Sequence, residues 1–126
     1  MSRWDQWEME TKIREVLQAV ENDRGESHHF GRPLFTAYQI AIAIGKRYPG
    51  FLEETGMEIG GEGSDSSLAR YIAQQLSVKI KEGAIEDIEG FLLAADHVKE
   101  IDFIDPSRAE FEANLTNDIS LFRIKE

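Results

Sequence analysis

"SLARYIAQQLSVKIKE", residues 67–82, carries the most regular apolar spacing in the chain. Leu68, Ile72, Leu76 and Ile80 recur every fourth residue, which puts them on one side of an α-helix. Ser67 stands where an N-cap belongs and Gly83 where a helix stops. The spacing predicts a helix over 67–82, and the rest of the chain is read outward from it.

Immediately upstream, "IGGEGSDS" (59–66) runs three glycines and two serines toward that helix, as phosphate-binding loops do. The chemistry does not follow. A Walker loop needs G-x-x-x-x-G-K-[ST], and no lysine stands between Arg47 and Lys79. The dinucleotide fingerprint G-x-G-x-x-G is missed because Gly61-Glu62-Gly63-Ser64-Asp65-Ser66 ends on serine, and Glu62 and Asp65 repel phosphate. The stretch reads as a loop handing over to a capped helix. Gly63, Ser64, Ser66 and Ser67 are its candidates for holding an anion on backbone amides.

Further upstream, Thr36 and Gln39 form a capping box before "AYQIAIAIGKRY" (37–48). Ala37, Ile40, Ala41, Ile44 and Tyr48 share one face there, and Ile42 lies off it, so this helix is expected to be covered on more than one side. Lys46 and Arg47 suit its C-terminal end, and Pro49-Gly50 ends it. Between the helices, Phe51, Leu52, Met57 and Ile59 are expected to point inward. Residues 2–23 read as a first helix, capped by Ser2 with Asp5 three residues on, with Ile13, Val16, Leu17 and Val20 toward the core. "NDRGESHHFGRP" (22–33) is a loop, followed by a short extended "GRPLF".

Downstream the signals weaken. Residues 84–97 fit either a turn with a short helix or an extended passage. "VKEIDFI" (98–104) and "DISLFRI" (118–124) alternate apolar and polar residues as half-buried strands do, and are expected to pair as a hairpin. The fold class is therefore α+β: a small, mainly helical domain of three main helices with a C-terminal β-hairpin. A chain of 126 residues is expected to form a single globular domain, 1–126.

Composition narrows the chemistry. The chain has no cysteine, which removes disulfides, thiolate metal sites and cysteine nucleophiles. No signal-peptide core or membrane-length apolar run is present, so the cytoplasm is the expected location and no membrane partner is expected. The net charge of -10 is uneven: residues 1–27 hold 4 basic and 7 acidic groups, residues 28–81 hold 6 and 5, and residues 82–126 hold 4 and 12.

Catalytic constellations are weak. His28 and His29 with Glu26 lack a spaced third ligand. His97 beside Asp96 has no nucleophile motif to serve. Glu86, Asp87, Glu89, Asp96, Glu100, Asp102 and Asp105 offer oxygens to a hard cation without EF-hand spacing, which leaves metal-dependent hydrolysis as a residual reading. No catalytic residue, metal site or cofactor is expected.

The favoured expectation is a non-catalytic module working through protein contacts, as an adaptor, inhibitor or self-associating subunit. Its acidic surface would meet a partner with a basic face. Trp4 and Trp7 are the candidate anchors, and Glu86, Asp87, Glu89, Glu100 and Asp102 the candidate charges. The alternative follows from the element order helix, short strand, helix, helix, strand, strand, which resembles the order of a winged helix-turn-helix domain. In that layout helix 67–82 would read nucleic acid through Ser66, Ser67, Arg70, Gln74, Gln75 and Lys79. The acidic C-terminal third and a linker of about 17 residues before the helix, where a tight turn belongs, depart from it.

Overall fold

The computed structural model describes residues 2–20, 31–60, 66–105, 109–113, 115 and 118–125. Along the chain run α1 (Arg3–Gln6), α2 (Met9–Gln18), β1 (Phe35–Thr36), α3 (Ala37–Arg47), α4 (Phe51–Thr55), α5 (Leu68–Lys81), β2 (Ile88–Leu93), β3 (Asp102–Ile104), β4 (Glu110–Glu112) and β5 (Ile119–Ile124). The architecture is α+β, with three longer helices and antiparallel strands, as the sequence expects. Among the described residues no helix is long and apolar enough to cross a membrane.

The helix read from 67–82 is α5. Leu68, Ile72 and Leu76 are fully buried, and Ile80 is half-buried against the core. Both ends are closed by the residues the sequence nominates. The Ser67 hydroxyl accepts from the Arg70 amide at 3.2 Å. At the other end the Gly83 amide donates to the Ile80 carbonyl at 3.2 Å and the Ala84 amide to the Lys79 carbonyl at 2.9 Å. That pair of bonds is a Schellman ending, and it needs the left-handed backbone that Gly83 supplies at φ 80°.

In α3, the Thr36 hydroxyl accepts from the Gln39 amide while the Gln39 side chain accepts from the Thr36 amide, so the capping box is complete. Ala37, Ile40, Ala41 and Ile44 are buried, and Ile42 packs against the core from outside that face. Phe51, Met57 and Ile59 are buried and Leu52 is partly so; residues 51–55 form the short helix α4. Facing α3 and the sheet, α2 presents Met9, Ile13, Val16 and Leu17, and the sheet adds Ile88 and Phe122 to the same apolar cluster. Each such buried aliphatic side chain contributes about 1.5–3 kcal/mol.

Two sequence expectations are corrected. The single helix over 2–23 is two, because Glu8 adopts a left-handed conformation at φ 50° and separates α1 from α2, which itself ends at Gln18. The break turns Trp4 and Met9 both into the core. The expected hairpin between 98–104 and 118–124 does not form. Strand β5 pairs with β2 from Ile88↔Ile124 to Leu93↔Ile119, and on its other side with β1, Phe35 opposite Phe122. Strand β3 pairs instead with β4, through Phe103↔Phe111. Alternation shows which residues can be half-buried; which strand lies opposite is set by contacts far apart in the sequence.

The sheet order is β1-β5-β2. The last strand thus lies between the short strand that precedes α3 and the strand that follows α5. Between α3 and α5 the described chain holds α4, and between β2 and β5 it holds the β3–β4 pair.

Candidate functional site

The candidate site lies where α5 meets the β2–β5 ribbon. The helix start is closed to an anion. The Leu68 amide donates to the Glu58 carbonyl at 2.7 Å, the Ala69 amide to the Ile59 carbonyl at 2.9 Å, and the Arg70 amide to the Ser67 hydroxyl. The donors that a phosphate would use are satisfied by the protein's own backbone and cap. Gly63 and Ser64 lie outside the described residues, and Ser67 is buried.

The exposed side of α5 has a different character. Arg70, Gln74, Ser77 and Lys81 are exposed and fall at i, i+4, i+7 and i+11, one continuous stripe opposite the buried face. Between Ser66 and Lys81 the chain carries Arg70, Lys79 and Lys81 and no carboxylate. Two of the sequence-nominated residues, Arg70 and Gln74, stand on this stripe. Gln75 and Lys79 are half-buried at its edge, Ser66 is half-buried before the helix, and Ser67 is committed to the cap. Ser77 and Lys81 were missed, although continuing the helical spacing from Arg70 and Gln74 finds both.

Along one flank of α5 runs an aromatic and cationic cluster. Trp7 meets Phe51 and Tyr71 edge-on, each with ring centroids 5.8 Å apart, and Trp4 lies 6.4 Å from Tyr71. The Arg3 guanidinium sits 4.8 Å from the Tyr71 centroid and 5.2 Å from that of Trp7; the Lys79 ammonium sits 5.0 Å from that of Trp4. Desolvation holds the Tyr71 phenol above its ordinary value, and Arg3 opposes that shift. Both candidate anchors, Trp4 and Trp7, take part in these contacts. Trp4 is 5% exposed and Trp7 is partly buried, and their rings pack the first turn of the chain onto Tyr71 of α5.

On the other flank, a cleft of about 500 Å³ separates α5 from the sheet, lined by Ser77, Ile80 and Lys81 of the helix and Gly90, Phe91, Leu92, Ser120 and Phe122 of the ribbon. Phe91, Leu92 and Leu93 are 42%, 67% and 40% exposed. No local periodicity in "IEGFLL" announces this.

The acidic candidates divide into two groups. Asp87 receives Arg14, which holds its carboxyl below the ordinary carboxylate value, and Glu89 receives the Arg123 Nε at 3.1 Å. Both join elements of the fold. Glu86, Glu100 and Asp102 are exposed. Glu100, Asp102 and Glu112 bring one oxygen each within 4.8 Å of one another, with Asp102 directly opposite Glu112 across the β3–β4 pair. All three are solvent-exposed carboxylates on the excursion, which docks on α3 by stacking Phe103 on Tyr38 at 5.3 Å. His97, at φ 65°, and Asp96 sit exposed in the turn after β2. His28, His29 and Glu26 lie outside the described residues.

No family model, curated protein or solved structure matches this chain.

Proposed function

We propose that this chain binds nucleic acid, laying the exposed stripe of α5 against a duplex, with the β2–β5 ribbon alongside. The observation that carries this reading is the stripe itself. In a chain of net charge -10, the sixteen residues from Ser66 to Lys81 hold three cations and no anion; two of the three, Arg70 and Lys81, stand on the stripe, and Lys79 lies over the Trp4 ring at its edge. Arg70 and Lys81 supply phosphate contacts, and Gln74 has the amide that pairs with an adenine edge. A nucleic-acid partner also agrees with the cytoplasmic location expected from the sequence. Fold analogy alone is a weak warrant for function, so the weight rests on the residues.

A second reading has its own observation. Glu86, Glu100, Asp102 and Glu112 are exposed, the last three converging on one hairpin, and such a surface steers a basic protein partner. One titration separates the two. Labelled duplex DNA is titrated by fluorescence anisotropy at low and physiological salt, with poly-lysine as the competing probe class. DNA binding with a steep salt slope that Arg70→Ala with Lys81→Ala abolishes supports the first reading. Poly-lysine binding without DNA binding supports the second and sets the first aside.

A further inference from the structure

We infer that the outer edge of β2 is a self-association surface, on which a second copy of this chain adds its own β2 antiparallel across a two-fold axis near Gly90. This does not rest on nucleic-acid binding.

The starting point is the hydrogen-bond parity of the strand. The Lys125 amide donates to the Asp87 carbonyl at 2.8 Å, so the pair 87/125 is a hydrogen-bonded pair of the β2–β5 ladder. Alternation then turns the backbone groups of Glu89, Phe91 and Leu93 toward β5 and those of Ile88, Gly90 and Leu92 outward. No other strand pairs with that side among the described residues. Proteins normally protect such an edge with lysine, proline or a bulge. This one instead carries, after Glu89, Gly90, Phe91, Leu92 and Leu93, four residues without a charge.

Charge complementarity selects the occupant. The strand's one charged residue is Glu89, bonded to Arg123, whose guanidinium also lies 5.3 Å from the Phe91 centroid. Pairing centred on residue 89 would oppose Glu89 to its own copy, which is destabilising. Centring on Gly90 places Glu89 of each copy opposite Phe91 of the other, beside the Arg123 that covers that ring. It also sets Leu92 opposite Ile88, and brings the two Phe91 rings to diagonal positions within aromatic reach. Both ends of the pairing are thus complementary to themselves, as a two-fold contact requires. Three exposed side chains and a short backbone edge fall below the roughly 1,200 Å² of a standard interface, so the dimer is a weak one.

The test is sedimentation equilibrium of the full chain from about 1 µM to about 1 mM, the range of weak association. A monomer–dimer equilibrium is expected, weakened at least about tenfold by Leu92→Asp through loss of apolar burial and unchanged by Val78→Asp, an exposed apolar site on α5. Because a substitution can act indirectly, amide hydrogen exchange gives a second readout on the unaltered protein. The Gly90 and Leu92 amides should slow as concentration rises, while those of Phe91 and Leu93, already bonded to β5, should not change. A chain that stays monomeric throughout, a dimer indifferent to Leu92→Asp, or Gly90 and Leu92 exchange independent of concentration would each overturn the proposal.

Discussion

Helix α5 and the ribbon that follows it are neighbours in sequence and opposites in character. In α5, apolar spacing, N-cap and glycine ending agree; Leu68, Ile72 and Leu76 are inside, Arg70 and Lys81 are outside, and Val78 is the one large apolar side chain left exposed. In residues 88–118 the apolar residues Phe91, Leu92 and Leu93 are outside, and the charge is predominantly negative. The lesson concerns what each region is built for. Local signals that agree place apolar side chains in the core, whereas Phe91, Leu92 and Leu93 leave apolar surface in water, the kind of surface a further contact would cover.

Substitutions can break or sharpen that contrast. The largest effect belongs to Leu76→Ala. Leu76 is fully buried at the centre of the α5 contact, and its truncation should cost about 2–5 kcal/mol in urea unfolding. Leu92→Ala should stay within about 0.5 kcal/mol, since the side chain is mostly in water; equal costs at the two sites would erase the distinction drawn here. Next comes Ser67→Ala, expected to cost about 1 kcal/mol, because it removes the α5 cap at a buried position. The same unfolding curves read it, and a neutral result would mean that the Glu58 and Ile59 carbonyls alone hold the helix start.

Smallest is the Asp87 to Arg14 pair, which ties the start of the ribbon to α2. Arg14 lowers the folded Asp87 pKa below its ordinary value of 3.8. The stabilisation is therefore present above that value and is lost as pH falls through the lower folded one. The pair is largely exposed, so Asp87→Asn should cost less than about 1 kcal/mol at neutral pH. The difference between wild type and variant should shrink below about pH 4, near the unfolded carboxylate value. A difference that persists into stronger acid would assign the effect to packing instead.

Legibility in the sequence follows the range of the interactions. Ser67, Gly83, Thr36 and Gln39 act on backbone three or four residues away, and all four were readable. The break at Glu8 was not, because Ile13, Val16 and Leu17 keep their helical phase on one side of it and nothing in a glutamate announces a left-handed backbone. Strand β2 is not decidable from the sequence, because Ile88 is buried while Phe91 to Leu93 are exposed, so no simple alternation exists. Its partner β5 begins 26 residues beyond the end of β2, and pairing at that distance is decided by packing rather than by local pattern. The candidate site shows the same split. Arg70 and Gln74 are legible from residue type on a readable helix, whereas the packing of Trp4 and Trp7 on Tyr71 and Phe51 is tertiary and no local pattern names its partners.

The most direct measurement of the central claim is the anisotropy titration of a labelled duplex with the wild-type chain and with Arg70→Ala, Lys81→Ala, at two salt concentrations. If α5 faces the duplex, wild type binds at low salt, its affinity falls with a log–log slope of about -2 to -4, as two to four phosphate contacts imply, and the double variant loses at least two of those contacts. No binding at low salt, or binding that the double variant retains in full, would contradict it.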